Sequence, residues 1–451
     1  TVNAAAATDV NINDGQGGVT VTAATAATAD AVITVNTTDS SGVTIVAGTG
    51  ADDTTTAANI GLDIGIDGSA ATTDTASISA AGHIELDIDG VGAANVDILT
   101  LSGNGADVIY DLAAPGTGTF VSATKAGTHS VEIMGDASEF TATTITNIDV
   151  IDVIGGGGAA FVASNFSGVG KIDFGVDQNN AKVTVNSGQT VEITVDQAGA
   201  GTDFDFSAAG GGDLTIIAGD DNGTSSAVGT ILLGTGVLNA AAAAATTVGT
   251  VTIEASIANV DSTGVTLGAA QILKITGDED VSLSAIGSAE SVTADTVDGS
   301  ASSGIITINV EDTANVANVD TVVTGSGNDA VEADVGTGTI AVTTNDGNDT
   351  ITISAIGDGA TFDGGAGNDT FNVDDVSQGV FLGGAGNDSF DTALNLGGTI
   401  IGGDGTDNLT IDGGGARTFA ATFAMSGIET LDITAANGAV AMTGAQLANN
   451  P

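Results

Sequence analysis

The 451-residue chain has no cysteine, no tryptophan, one tyrosine, two prolines, and only five basic residues against 57 acidic ones. Each shortage excludes something. Without cysteine there are no disulfides, thiolate metal sites or cysteine nucleophiles. Five cations cannot neutralise a run of phosphates, which excludes nucleic acid and anionic membrane surfaces as partners. Aromatics at 3% leave little for large cores or for clefts that stack sugars. With only Pro115 and Pro451 there is no proline linker, so a continuous body is as compatible with the sequence as separate domains.

What is present points to a folded chain. Hydrophobic residues make up 42% and mean hydropathy is +0.31, which argues against disorder despite a net charge of −52. That charge predicts self-repulsion unless counter-cations are bound, and divalent metal is the economical answer. The uncharged window 229–249 holds Ile231, Leu232, Leu233 and the run Ala240 to Ala245. Its Gly, Thr and Asn content reads as buried strand with a short helix at the Ala run, so no membrane insertion is expected. The chain begins Thr-Val-Asn without a basic or apolar leader, and no cleaved amino-terminal signal is read.

Most of the sequence alternates apolar residues with Thr, Ser, Asp or Asn over four to seven positions, then breaks at Gly, Asn or Asp. Examples are Val19-Thr-Val-Thr22, Ile84-Glu-Leu-Asp-Ile-Asp89, Val191-Glu-Ile-Thr-Val195 and Ile305-Ile-Thr-Ile-Asn-Val310. A period of two is that of half-buried strands, and helical spacing is hardly seen. The fold class is all-β. The echo of Ile148-Asp-Val-Ile-Asp-Val153 in Ile172-Asp-Phe174 and Ile428-Glu-Thr-Leu-Asp-Ile433 suggests stacked units of one design. Soft breaks at 155–158, 210–212 and 240–245 lead to four expected regions. These are an amino-terminal β-rich region 1–154, a middle β-rich region 155–265, a third region 266–415 and a carboxyl-terminal β segment 416–451.

One motif is specific. Five copies of a glycine-aspartate loop run from Thr324-Gly-Ser-Gly-Asn-Asp329 through Thr344-Asn-Asp-Gly-Asn-Asp349, Gly364-Gly-Ala-Gly-Asn-Asp369 and Gly383-Gly-Ala-Gly-Asn-Asp388 to Gly402-Gly-Asp-Gly-Thr-Asp407. Each is followed two places later by an apolar residue. The last three match G-G-x-G-x-D-x-U-x in full. The glycines Gly325, Gly327, Gly347, Gly365, Gly367, Gly384, Gly386, Gly403 and Gly405 permit unusual backbone angles and let carbonyls turn toward a cation. The aspartates Asp329, Asp349, Asp369, Asp388 and Asp407 add hard, charged oxygens. Such a donor set suits Ca²⁺ rather than zinc or copper. The aspartates recur at intervals of 20, 20, 19 and 19, one turn of a parallel coil built from two strands and two loops. Successive loops then stack about 4.8 Å apart, and their carboxylates repel unless ions lie between them. Upstream, Ser102-Gly-Asn-Gly-Ala-Asp107 fits the loop, making Asp107 a further candidate ligand, and Ala47-Gly-Thr-Gly-Ala-Asp52 fits its first six positions. A plain Asx turn is the alternative for both.

Here the sequence resembles the RTX calcium-binding repeat family, and in particular RTX-type surface-layer proteins of bacteria. The likeness covers residues 324–410, with softer echoes in Leu273-Lys-Ile-Thr-Gly-Asp278, Ala289-Glu-Ser-Val-Thr293 and Ser426-Gly-Ile-Glu-Thr-Leu-Asp432. It implies a right-handed parallel β-helix or β-roll in the carboxyl-terminal half, with 266–415 as an RTX-like calcium-binding β-roll, further β-solenoid or β-sandwich units before it, and several bound Ca²⁺ ions. Two departures stand out. The alternate half-turns, 335–338, 356–359, 376–379 and 396–398, lack the aspartate at its place in the motif, so calcium should line one edge only. Thr324 and Asn345 replace the first or second glycine, so the sites they join should be weaker.

The function expected is that of a secreted structural protein, a calcium-stabilised subunit of a bacterial surface layer, sheath or extracellular filament, exported without a cleaved signal. Its expected partners are further copies of itself and cell-surface polysaccharide. A stalk within a larger adhesin is the alternative, and a carbohydrate-active β-helix is a third reading. Catalysis is disfavoured: Tyr110, Lys125 and His129 form the only loose cluster, and paired acids such as Asp52-Asp53, Asp220-Asp221 and Asp374-Asp375 read as solvated turns.

Overall fold

Alternating apolar and polar residues turn one side of each strand toward a core, and short Gly, Asn and Asp loops redirect the chain between strands. A computed structural model describes backbone strands along the chain. It describes side chains at 149–151, 169–174, 190–193, 213–219, 250–261, 272–283, 296–310, 319–334, 339–374, 379–392, 397–411, 419–434 and 441–446, apart from a few positions within these spans. The described residues are all-β. Every strand pairing among them is parallel, the arrangement of a solenoid and not of an antiparallel sandwich.

The chain divides into two compact units, 1–202 with 208–210, and 203–207 with 211–451. In the first, Val19–Ala23, Val43–Ala47, Thr75–Ala80 and Ile98–Gly103 lie side by side in one sheet, while Asp9–Asn13, Ala31–Asn36 and Leu62–Asp67 form another. Strands that alternate in sequence therefore alternate between sheets. The echo in the sequence becomes a physical stack: Ile151 pairs with Ile172, Asp152 with Asp173 and Val153 with Phe174. Within this unit Lys171 forms an ion pair at 2.6 Å with Glu192, which is fully buried.

The second unit repeats the design with greater regularity. On one face run Ala341–Thr343, Ala360–Ala366, Gly379–Ala385, Thr399–Asp404 and Ala424–Ser426. On the other run Ala330–Asp334, Thr350–Ile356, Thr370–Val376, Ser389–Thr392, Asn408–Ile411 and Thr430–Ile433. The chain crosses between the faces at every loop, and each strand pairs with the one a full turn later, giving a coil of two strands and two loops per turn. Inward residues stack in columns. Val322, Val342, Phe362, Phe381, Ile400 and Met425 fill one, and Val331, Ile351, Phe371, Phe390, Leu409 and Leu431 the other.

Register is held because a slip of one residue would turn every apolar side chain outward. Aromatic stacking reinforces it: Phe362 lies on Phe381 with ring centroids 5.6 Å apart, and Phe371 on Phe390 at 4.7 Å. Each buried Phe contributes roughly 1.5–3 kcal/mol of transfer free energy, which lets a chain poor in aromatics hold a narrow core.

No helix among the described residues is long and apolar enough to cross a membrane. In the window 229–249 the structure shows strands at Thr230–Leu232 and Leu238–Asn239. The Ala run at 240–245 lies outside the described residues, as do the glycine breaks at 155–158 and 210–212.

Candidate metal centre

All five repeat aspartates sit in the loop that leads from the first face into the second, at the last position before the strand. Each shares the inward parity of the apolar residue two places on, so the strand that buries Phe371 also buries Asp369. Asp329, Asp349, Asp369, Asp388 and Asp407 are 1% exposed or less.

Register shows what normally occupies this position. Val260 pairs with Val281 and Val281 with Ile306. The next pair is Thr307 with Ala330, one residue beyond Ile306 and Asp329. One column therefore reads Val260, Val281, Ile306, then Asp329, Asp349, Asp369, Asp388 and Asp407, and ends at Glu429. Three turns fill it with buried aliphatic side chains and the next five with buried carboxylates.

The carboxylates form a ladder along the coil. The Ile306 N–H donates to Asp329 Oδ1 at 2.7 Å, Asp329 to Asp349 at 2.7 Å, Asp349 to Asp369 at 2.8 Å, and Asp369 to Asp388 and Asp388 to Asp407 at 2.9 Å. The Asp407 N–H ends the series on Glu429 Oε2 at 2.8 Å. In the aliphatic turns a backbone carbonyl does the same job: Val260 N–H donates to Asp280 O and Val281 N–H to Ile305 O. A second ladder runs in the opposite direction one residue earlier. Asn348, Asn368 and Asn387 each donate their N–H to the Asn side-chain oxygen of the preceding turn, beginning at Asn328, and Thr406 N–H donates to Asn387.

One oxygen of each carboxylate is thus spoken for. In the last four the other is not: Oδ2 of Asp349, Asp369, Asp388 and Asp407 is buried without a hydrogen bond. An anionic oxygen in that position is costly. Burial accordingly raises the pKa of all five aspartates, to about 7 for Asp349 and about 6 for Asp369, and neighbouring aspartates raise those of Asp349, Asp369 and Asp388 further.

The glycines define the surroundings of Oδ2. A methyl group on Gly364 would lie under 3.0 Å from both Asp369 Oδ2 and the Gly383 carbonyl of the next turn. The same holds at Gly383 for Asp388 Oδ2 and Gly402 O, and at Gly402 for Asp407 Oδ2 and Gly427 O. In each loop a carboxylate oxygen and a carbonyl oxygen from the following turn converge over the first glycine. Gly365, Gly384 and Gly403 have φ of 91°, 107° and 118°, a region that Asn345 also enters at 63°. Gly347, Gly367, Gly386 and Gly405 also have positive φ, and a Cβ on any of them would overlap the carbonyl of the preceding loop. Gly325 and Gly327 are crowded in the same way by the Ser302 and Gly304 carbonyls.

These features fit a hard cation. They include unpaired buried anionic oxygens, converging carbonyls and no nitrogen or sulfur donor in the loops, a set that selects Ca²⁺ over softer metals. The ligands would be mainly carbonyl, since no three Asp, Glu or His side chains converge among the described residues. Asp107 opens the strand Asp107–Tyr110, but its side chain and the loop before it lie outside the described residues, as do Asp52 and the side chains of Tyr110, Lys125 and His129.

The motif names the aspartates and glycines directly. The aliphatic members of the column and the terminal Glu429 carry no such signal, because their turns differ in length and loop wording from the repeats. Comparison of the chain with family models, curated proteins and solved structures gives no match.

Proposed function

We propose that this chain is a secreted structural repeat protein, a calcium-stabilised β-solenoid that serves as a subunit of a bacterial surface layer, sheath or extracellular filament. The observation that carries the reading is the column in which buried aspartates replace aliphatic core residues, each of the last four leaving an oxygen without a hydrogen bond. Such a column is unfavourable without a cation and stabilising with one. The RTX-like wording of the loops supports the same ion.

Weak sites of this kind, with affinities on the order of 10⁻⁴–10⁻³ M, fill where calcium is abundant, which favours a place outside the cell. The net charge of −52 suits such surroundings and allows ionic bridging between copies. Open sheet edges at the ends of a parallel coil favour end-to-end contact with further copies. Cell-surface polysaccharide is the second partner in this reading, and no catalytic role is assigned.

Electron microscopy of the purified chain with and without calcium tests the proposal. Ordered sheets or filaments that form with calcium and dissolve in EGTA are expected. Persistently monomeric rods at millimolar calcium would instead favour a stalk that projects another domain.

A further inference from the structure

We infer that Thr324 and Thr344 close the first two positions of the aspartate column to a cation. The column then takes its ions at three consecutive positions, where Gly364, Gly383 and Gly402 face Asp369, Asp388 and Asp407. This deepens the calcium reading and rests on it.

All five loops keep glycine at the fourth place and aspartate at the sixth; they vary at the second, third and fifth places, and at the first they fall into two classes. In the last three the first residue is glycine, and the carboxylate Oδ2 and the next turn's carbonyl converge above it. In the first two it is threonine, whose side chain occupies the corresponding place. Thr344 Oγ1 donates to the Gly364 carbonyl at 2.9 Å, and Thr324 Oγ1 to the Thr344 carbonyl at 3.2 Å. These acceptors correspond to the Gly383, Gly402 and Gly427 carbonyls that face the later carboxylates. Each hydroxyl lies beside the carboxylate of its own loop, but its proton is turned to the carbonyl. Threonine thus satisfies the next-turn carbonyl with its one hydroxyl proton and fills with its own volume the place that the glycine loops leave to a cation.

The backbone permits this exchange. Gly364, Gly383 and Gly402 do not have positive φ, unlike the glycines that follow them, so an L-residue at the first position is strained by neighbours and not by its own angles. The hydrogen bonding is graded along the column. Asp329 has both oxygens bonded, Oδ1 by Ile306 N–H and Oδ2 by Gly325 N–H at 3.2 Å. Asp349 has the Thr344 hydroxyl beside it but no hydrogen bond to Oδ2, and the three aspartates after it have neither. The order is aliphatic core, hydroxyl-closed carboxylate, then open carboxylate.

Counting Ca²⁺ ions per full-length chain, by native mass spectrometry and by equilibrium dialysis with radioactive calcium, tests this against wild type. Thr344→Gly should gain one ion and Gly383→Thr should lose one, with every aspartate retained. Far-ultraviolet circular dichroism in EGTA shows whether Gly383→Thr folds, since its Cβ must displace Asp388 Oδ2 and the Gly402 carbonyl, both under 3.0 Å away. Unchanged counts in a wild-type background that binds calcium would overturn the inference and leave the calcium reading standing. If Gly383→Thr does not fold, Thr344→Gly decides alone: a gained ion supports the inference and an unchanged count overturns it. A wild-type chain that binds no calcium would sink the calcium reading itself.

Discussion

Replacing Asp369 by Asn removes one charge from the buried column while keeping the shape of the side chain. Its Oδ1 still accepts the Asp349 N–H, and the new amide points a donor at the region where Oδ2 faces the Gly383 carbonyl. Asp369 is pushed up from 3.8 to about 6, first by loss of hydration on burial and then by Asp388 and Asp363. Because the folded pKa is the higher one, the penalty is absent below about pH 4, grows as pH rises toward 6 and is complete above it. At pH 8 it amounts to about 3 kcal/mol. Asp369→Asn should recover about that much in EGTA, a rise in Tm of roughly 6–12 °C for a unit of this size. With calcium a hundredfold above its dissociation constant, wild type instead gains about 2.7 kcal/mol per site, which the variant forgoes. The two melting curves, followed by circular dichroism at pH 8, should therefore draw together or exchange order between EGTA and calcium. A variant less stable than wild type in both buffers would refute the reasoning and leave Asp369 an ordinary buried polar residue.

Other expectations follow from the same geometry. In EGTA the wild-type protein should lose stability as pH rises from about 4 to 7, the window set by the raised pKa values of Asp349 and Asp369, and calcium should flatten that dependence; a pH-independent Tm in EGTA would contradict it. Gly386→Ala should cost at least about 2 kcal/mol with or without calcium, since its Cβ would overlap the Gly367 carbonyl and its φ is 137°; urea unfolding measures it. Phe371→Ala should cost about 3–5 kcal/mol by removing a buried ring stacked on Phe390, again read from urea unfolding.

Much of this architecture was legible in the residues because β-structure and loop stacking are written with short periods. Alternation gave strands such as Ile305-Ile-Thr-Ile-Asn-Val310, and the interval of 19 to 20 between aspartates gave the coil. The amino-terminal half left solenoid and sandwich both open. Alternation is the same in each, and only strand direction, seen in pairs such as Val19 with Val43, separates them. Within the site, the spacing located the carboxylates but could not say which oxygen is already bonded. That depends on backbone N–H groups one turn away, as when Asp349 donates to Asp369. The role of threonine was hidden for a related reason. Thr324 reads as a poorer glycine in a motif, whereas in three dimensions its hydroxyl donates to the Thr344 carbonyl of the next turn. The aliphatic start of the column was invisible because Val260, Val281 and Ile306 are 21 to 25 residues apart in loops of different wording.

Hydrogen–deuterium exchange of the full chain, compared in calcium and in EGTA, tests the central claim most directly. Backbone amides across 364–411 should lose protection when calcium is withdrawn, while the aliphatic turns at 250–283 keep theirs. Equal protection across both regions in the two conditions would contradict the account.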